Sequence, residues 1–553
     1  MSSPGRGRRV PAMNCPCRRT LPRRRTTLAL LAGLLWAFAC PLGADLGPIG
    51  LTTEGAQWFD NPDPVDSQYL YESFGSVLAA GDFNGDGADD LATGFPGDRS
   101  HGRNGSVFVR YARANGQGLA SGPAALVLHH ATLANAPHEY FGVTLASGDF
   151  NGDSFDDLAV AIVFGLDSGT GHRGAVRVFY GSSTGLHADD YEHLDPLILR
   201  GEECDGAMFG YALAAGDFDG NGFDDLAIGA PHGCEPLQPS SIAGGVVYVA
   251  HGAADGLLSA GSYWISQYSF GIYDDPETND VFGAALAAGD FDHDLFDDLA
   301  IGIPGENSNS GAVDIVMGSQ FGLIFADSVF WLPGALGEEP ESGDRLGEAL
   351  AAGDFDHDGF DDLAIGVPNE TIDSHTWTGA MAIAYGAPAG FNLDRTDKLT
   401  QSSIYGNAAH EADSDHFGWA FGAGDFDGDG YDDLAIGHYG DKWSGINLGA
   451  VTILMGGIPP LGSSSRHHLI GVGHEGVPND TQINQFAGYA LAAGDFDGSG
   501  RADLAIGVPG YGGVPQNAFQ EHIGAELVLY SGTKLFADGF ESGATDGWSS
   551  TAP

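Results

Sequence analysis

Basic residues are scarce in this 553-residue chain: 22 Lys and Arg stand against 75 Asp and Glu, a formal charge of −53. Eight of the 22 lie between Arg6 and Arg25 and no acid precedes Asp45, so beyond residue 44 there are 14 basic residues against 75 acids. Nucleic acid and anionic membrane surfaces are thereby excluded as main partners, because both are polyanions held by Lys and Arg. Cysteine is also rare, with five in all, and no segment after Phe38 approaches the run of about 20 apolar residues that a spanning helix needs. No transmembrane segment is expected in the mature chain. What the chain has instead is 87 glycines, a hydrophobic fraction of 43% and 10% aromatics. That is too apolar for a disordered polyanion. A large folded mass follows, and something must hold its negative charge.

The clustered arginines have their own explanation. Arg18, Arg19 and Arg23 to Arg25 precede the apolar run Leu28 to Phe38, and the small residues Leu42-Gly43-Ala44 stand just before Asp45. This layout reads residues 1–44 as a signal peptide and the mature protein as secreted, extracellular or periplasmic. Arg24-Arg25 resembles a twin-arginine signal. Ala37-Phe38-Ala39-Cys40 resembles a bacterial lipoprotein box but lacks the usual Leu three residues before the cysteine, so anchoring through Cys40 is the less favoured reading. Cys15, Cys17 and Cys40 would leave with the signal, and the two that remain, Cys204 and Cys234, suit one disulfide in an exported chain.

One block recurs seven times. It begins as Gly81-Asp82-Phe83-Asn84-Gly85-Asp86-Gly87-Ala88-Asp89-Asp90-Leu91-Ala92 and returns at Gly148, Gly216, Gly289, Gly353, Gly424 and Gly494, its leading aspartates 64 to 73 residues apart. Length alone would suggest about three or four domains. A fixed period of this size instead means one supersecondary unit repeated around a single core. A small-residue run such as Phe209 to Ala215 precedes each block, and an apolar run such as Leu226 to Pro231 follows it. Both read as strands of about six to eight residues. An alternating third strand comes next, for example Val246 to Val249. The fourth follows a Gly-Leu turn, as at Gly256-Leu257, with variants at Gly390-Phe391 and Gly457-Ile458. Four antiparallel strands in each of seven units predict an all-β fold, a seven-bladed propeller over residues 45–537 with a tail at 538–553. The seventh unit runs out of chain after its third strand, while Gly50-Leu51 and Gln57-Trp58-Phe59 carry a spare fourth-strand pattern near the start. The N-terminal strand is therefore expected to complete the last blade, removing two exposed sheet edges.

Within each block, side-chain oxygens stand at positions 1, 3, 5 and 9. The sets are Asp82, Asn84, Asp86 and Asp90; Asp149, Asn151, Asp153 and Asp157; Asp217, Asp219, Asn221 and Asp225; Asp290, Asp292, Asp294 and Asp298; Asp354, Asp356, Asp358 and Asp362; Asp425, Asp427, Asp429 and Asp433; and Asp495, Asp497, Ser499 and Asp503. Alternate residues of a tight loop point inward, position 7 offers its carbonyl, and hard cations such as Ca²⁺ take six to eight such oxygens. Up to seven Ca²⁺ sites are expected, the seventh weakened by Ser499. An EF-hand begins alike but ends in Glu at position 12 between helices; here an Asp at position 9 lies between strands.

With the pairs Phe74-Gly75, Phe141-Gly142, Phe209-Gly210, Phe282-Gly283 and Phe417-Gly418, and with Gly229-Ala230-Pro231, the chain resembles the FG-GAP repeat of integrin α-subunit propellers over roughly residues 46–537. The resemblance implies calcium loops on the lower face, between the first two strands of each blade, and ligands on the upper face. Departures are Leu346 for the Phe, the stretched Phe486-Ala487-Gly488, and Ala161-Ile162-Val163 and His438-Tyr439 where Ala-Pro is expected.

Six histidines, His101, His172, His232, His375, His438 and His522, fall after the second strands and are candidates for the ligand face. No Ser-His-Asp order, P-loop, zinc-protease helix or Arg-Gly-Asp motif occurs. The tail from Phe536 to Trp548 resembles that of some exported Gram-negative proteins, which implies a bacterial source. The expectation is an exported, monomeric, calcium-binding propeller that meets a protein or glycan through its upper loops in recognition or adhesion, more readily than an enzyme. A hydrolase or lyase working at the channel mouth and a ligand-free scaffold are the alternatives.

Overall fold

The computed structural model describes residues 51–60, 73–98, 103–113, 116–121, 126–131, 140–163, 174–200, 206–233, 244–269, 276–277, 279–336, 341–388, 390–406, 411–443, 446–458, 461, 466–471, 485–510 and 524–531. Cys204, Cys234, His101, His172, His522, the signal layout and the tail lie outside the described residues.

The fold is a seven-bladed propeller. In the third blade Leu213–Gly216, Asp225–Ala230, Val246–His251 and Leu258–Ile265 hydrogen-bond in that order, all antiparallel. The other blades repeat this, with inner strands at Val77–Gly81, Phe141–Gly148, Ala285–Gly289, Leu350–Gly353, Ala420–Gly424 and Leu491–Gly494. Each inner strand lies beside the next, and Leu491–Gly494 lies beside Val77–Gly81. The spare N-terminal strand is Leu51–Asp60. It pairs antiparallel with Ala525–Ser531 as the fourth strand of blade seven, with a bulge between Thr52 and Gln57.

Small residues on the inner strands are required by the close approach of the next blade. A Cβ added to Gly148, Gly216 or Gly289 would stand 2.9 Å from the alanine Cβ of the next blade, and at Gly494 it would stand 2.7 Å from that of Ala80. Outside blade two, whose strand starts at Phe141 itself, the inner strands are shorter than their sequence run, because the Phe-Gly pair forms a turn: Gly75, Gly210, Gly283 and Gly418 sit at φ of 79° to 89°. The Phe bridges back to the preceding blade instead, at Gly105–Phe141, Gly174–Phe209 and Gly379–Phe417. In blade seven Ala487 makes this bridge, to Gly449, so it holds the Phe position and Phe486 is displaced.

The Gly-Leu turn is a second stitch between blades. A tyrosine hydroxyl from one blade accepts the Leu N–H of the next: Tyr530 from Leu119 (2.9 Å), Tyr111 from Leu186 (2.9 Å), Tyr180 from Leu257 (3.2 Å) and Tyr263 from Leu323 (2.9 Å). The glycine is required because a Cβ on Gly118 or Gly185 would meet that hydroxyl at 2.2 Å. In blade six the turn was expected at Gly457-Ile458, but Ile458 is 85% exposed and Leu461, 4% exposed, takes its place against Tyr385. Burial, not adjacency to glycine, decides which residue anchors the turn.

Closure of the ring carries a buried ion pair. Arg110 Nε lies 2.6 Å from Glu526 Oε1, joining the third strands of blades one and seven, and both side chains are almost wholly buried. The Arg110 guanidinium also lies 4.1 Å from the ring centre of Phe59 on the N-terminal strand.

Candidate metal centres

Each loop between first and second strands is built around its position-1 aspartate, which accepts backbone N–H groups of residues 5 and 6. Asp290 takes Asp294 N–H at 3.0 Å and Leu295 N–H at 3.1 Å; Asp149, Asp217, Asp354, Asp425 and Asp495 do the same in their loops. The first loop follows suit with Asp82, although Asn84 turns its amide N–H onto Asp90. Position 6 needs positive φ, which Gly87, Gly222, Gly359, Gly430 and Gly500 give freely; Ser154 and Leu295 adopt it too, at 70° and 76°.

The position-9 aspartate is the buried member. Its Oδ1 accepts the backbone N–H that ends the third strand in every blade, from Ala112 on Asp90 (2.7 Å) and Gly252 on Asp225 (2.8 Å) to Gly456 on Asp433 (2.8 Å) and Ser531 on Asp503 (2.5 Å). Burial pushes the carboxyls of Asp90, Asp157, Asp298, Asp362, Asp433 and Asp503 up to about 8. Asp225 is also raised by burial, with His251 opposing the rise through a hydrogen bond. A divalent cation in the cage would restore the ionised form.

The residues present fit such an ion. One oxygen from each of Asp290, Asp292 and Asp294 lies within 4.8 Å of the others, as in the sets Asp354, Asp356, Asp362 and Asp425, Asp427, Asp433. Asp292 Oδ1 and Asp503 Oδ2 are buried with no hydrogen-bond donor, the state expected of an oxygen kept for a cation. The donors are hard oxygens throughout, which suits Ca²⁺ or a similar ion. In three loops a basic side chain from outside the loop also faces the cage. Arg395 reaches Asp356 at 2.5 Å, Arg466 contacts Asp427 and lies 3.1 Å from Asp429, and His251 stands 3.4 Å from Asp219 and 3.3 Å from Asp225.

Position 8 has a different role. Its N–H bonds to the carbonyl of the preceding blade's position-1 aspartate at all seven junctions, from Asp156 to Asp82 (3.2 Å) round to Ala502 to Asp425 (3.1 Å) and Asp89 to Asp495 (2.9 Å). At six junctions the position-8 carboxylate returns the bond, accepting that aspartate's N–H, as from Asp82 to Asp156 (2.8 Å) and from Asp495 to Asp89 (2.8 Å). Ala502 leaves the junction of blades six and seven without this second bond.

On the upper face the described histidines do not form one group. His438 differs most from expectation: it ends the second strand Asp433–His438, not a loop, and its buried ring meets Thr452 Oγ1 at 3.0 Å and Asp441 Oδ2 at 3.1 Å. His232 is partly buried in blade three, and His375 is half-exposed on blade five, 3.4 Å from Asp413. His293 and His357, at position 4 of two loops, face outward and pack on Phe360 and Tyr431. Aromatic rings form the continuous feature instead. Trp377, His416, Tyr439, Trp419 and Tyr489 pack in a row across blades five to seven, the first three rings stacked and the rest edge-to-face or tilted, with centroid spacings of 6.2, 4.9, 4.8 and 5.6 Å. Tyr211, Glu348, Trp419 and Tyr489 each follow the Phe-Gly position of their blade and so share one level around the axis. Burial, with the Glu348 charge adding to it, pushes the phenols of Tyr211, Tyr439 and Tyr489 up, and Arg345 pairs with Glu348 at 2.7 Å.

The repeated geometry matches a known family. The FG-GAP repeat matches residues 74–109, 141–179, 209–235, 282–316, 346–382, 417–454 and 487–520, one match per blade. The chain is an FG-GAP repeat protein. Its integrin-α-like relatives include integrin alpha-5 of Xenopus laevis, 29% identical over 240 residues (43% of this chain, 20% of that protein). Integrin alpha pat-2 of Caenorhabditis briggsae is 30% identical over 258 residues (44% and 19%). Integrin alpha-PS5 of Drosophila melanogaster is 36% identical over 166 residues (30% and 15%). The chain thus spans a fifth or less of the length of these relatives. Two solved rhamnogalacturonan lyases, YesX and YesW, overlay with TM-scores of 0.40 and 0.41 at 12% and 13% identity, covering 87% of this chain and 76% of theirs, a likeness too loose to argue from.

Within this FG-GAP protein, the position-8 aspartates and the cage-facing Arg395, Arg466 and His251 escaped the reading of spacing. The first recur as visibly as the metal positions and could have been found by asking why position 8 is acidic in six blocks of seven. The second lie on or just before other strands, and only the fold brings them to the loops.

Proposed function

We propose that this chain is an exported, calcium-stabilised propeller that recognises a protein or glycan through its upper rim, in adhesion or surface recognition. The aromatic belt from Trp377 to Tyr489 carries this reading. Trp377 and Tyr211, 53% and 44% exposed, offer large apolar faces, and Tyr211 lies within reach of the charges of the Arg345–Glu348 pair. Rigid aromatic rings flanked by a few charges are the side chains that anchor partners at little entropic cost. The kinship with integrin α-subunits supports an extracellular setting, and the signal layout at residues 1–44 supports export. No helix among the described residues is long and apolar enough to cross a membrane. Residues 45–537 form the propeller in this reading, and calcium fills its lower loops, with Asp82, Asp149, Asp217, Asp290, Asp354, Asp425 and Asp495 as first ligands. Calcium there offsets the charge of the loops, and the chain's own hydrogen bonds from residues 5 and 6 hold the first carboxylate in place.

The hydrolase or lyase alternative drew on the histidines, and the burial of His438 and the separate blades of His232 and His375 take support from it. A glycan array and a pull-down with the intact protein test the proposal, alongside Trp419→Ala and Tyr439→Ala. Binding without turnover that falls at least tenfold in these variants is expected. Binding indifferent to both substitutions would overturn the assignment to the rim.

A further inference from the structure

The third lower loop differs from the other six in the side chain that faces it from the sheet. The residue just before the N–H that bonds the position-9 aspartate is a tyrosine in blades one, two, five and seven: Tyr111, Tyr180, Tyr385 and Tyr530. It is Met317 in blade four and Met455 in blade six. In blade three it is His251. The four tyrosines make the stitch to the next blade. In blade three Tyr263, on the outer strand, makes that stitch instead, its hydroxyl accepting the Leu323 N–H at 2.9 Å. The imidazole packs beside this tyrosine, ring centres 5.5 Å apart, with Nδ1 turned to the loop.

Nδ1 stands almost equally far from two carboxylate oxygens, 3.3 Å from Asp225 Oδ2 and 3.4 Å from Asp219 Oδ2. Each aspartate's other oxygen is already engaged: Asp225 Oδ1 accepts the Gly252 N–H at 2.8 Å, and Asp219 Oδ1 the Asn221 N–H at 3.1 Å. In loops two, four, five and six the position-9 Oδ2 takes the N–H of position 2, from Phe150, Phe291, Phe355 and Phe426. In loop three that oxygen turns to the imidazole. One proton on Nδ1 can serve only one of the two oxygens, and both distances exceed the about 2.7–2.9 Å usual when a charged group takes part. A shared ion accounts for all three atoms. Ligands about 2.1 Å from one ion, at angles of about 90–110°, stand about 3.0–3.4 Å from one another.

We propose that His251 Nδ1, together with Asp219 and Asp225, makes the third loop a site for a first-row ion of the zinc class, set apart from the calcium loops of the other blades. This rests on the reading of the loops as cation cages and changes the ion assigned to one of them. Calcium takes oxygen ligands, whereas an imidazole nitrogen beside carboxylates favours zinc. With the ring proton on Nε2, Nδ1 offers its lone pair to the ion. The His251 and Asp219 side chains are partly exposed, which leaves the ion a way in, and Asp225 is wholly buried beneath them. His251 is thereby the specificity-determining residue of this loop.

Zinc bound by the intact protein in a large excess of calcium, counted by equilibrium dialysis, tests the site. His251→Tyr is the comparison, because tyrosine stands there in four other blades. Wild type is expected to hold one zinc ion that the variant holds about tenfold or more weakly, with calcium uptake at the other loops unchanged. Equal zinc binding by the two folded proteins would overturn the proposal and leave the calcium reading standing. Zinc held through His251 by a chain that takes up no calcium would uphold this site and overturn only the calcium reading. Should the variant not fold, anomalous scattering at the zinc edge from soaked crystals of the unaltered protein decides the matter. A peak about 2.1 Å from His251 Nδ1 is expected. Zinc elsewhere with none at this nitrogen would overturn the proposal and reduce His251 to a hydrogen-bond donor.

Discussion

Arg466 occupies the surroundings of a metal cage without belonging to the motif that defines it. Its guanidinium faces Asp427 and Asp429, both proposed as calcium ligands, and would yield part of that contact if an ion entered. Arg466→Gln is therefore expected to tighten calcium binding at the sixth loop by a few-fold, about 1 kcal/mol for a half-exposed pair. Calorimetric titration should find one tighter site; weaker binding would mean that the arginine supports the cage. Asp314 offers a second residue-scale test. It is wholly buried on the third strand of blade four, and burial pushes its carboxyl up to about 8. The folded chain keeps a proton there that the unfolded chain releases near 3.8, so stability falls as pH rises between those values and levels off above them. Asp314→Asn should match wild type near pH 4 and melt a few degrees higher at about pH 9. Parallel melting curves at both pH values would contradict this. Asp314 was illegible in sequence because it alternates with Val313 and Ile315 as any half-exposed strand residue would. The loop positions were legible because the same spacing of side-chain oxygens recurs in seven blocks.

Between blades, the position-8 clasp and the tyrosine–leucine stitch turn seven similar units into neighbours with a fixed register. Ala502 marks the junction lacking the carboxylate, so Ala502→Asp is expected to stabilise the protein by about 1 kcal/mol, read as a higher urea midpoint. No change would show that the backbone bond suffices there. Tyr111→Phe removes the acceptor for the Leu186 N–H and should cost about 1–3 kcal/mol by the same measurement. The strands themselves were readable from alternation and turn residues, and the fourth strands from the Gly-Leu pairs. Their stitches were not, because a hydroxyl on one blade and an amide on the next are 60 to 411 residues apart. The shortened inner strands have a related cause. Phe-Gly continues the apolar pattern in sequence, but it spends its backbone on the preceding blade.

For the whole molecule, the acidic excess acquires a location: 30 of the 75 acids lie in seven loops arranged around one ring. The ring closes through the strand at Leu51–Asp60 and through Arg110 and Glu526. Deleting residues 46–60 should prevent cooperative folding. Arg110→Met should cost about 3–5 kcal/mol by leaving Glu526 buried and unpaired, and adding Glu526→Val should recover most of it, since valine stands there in blades one to four. The closing strand was legible because a fourth-strand pattern was spare at one end and missing at the other. The ion pair was not, since nothing in sequence links Arg110 to Glu526. The central claim is that the repeated loops are metal cages on which the ring depends, each site contributing up to about 2.7 kcal/mol at 100 times its dissociation constant. Thermal unfolding of the intact protein in calcium and in excess chelator tests this most directly. The account predicts a fall in melting temperature of at least 15 °C, by order of magnitude for several such sites lost together, reversed by added calcium. Superimposable transitions would contradict it.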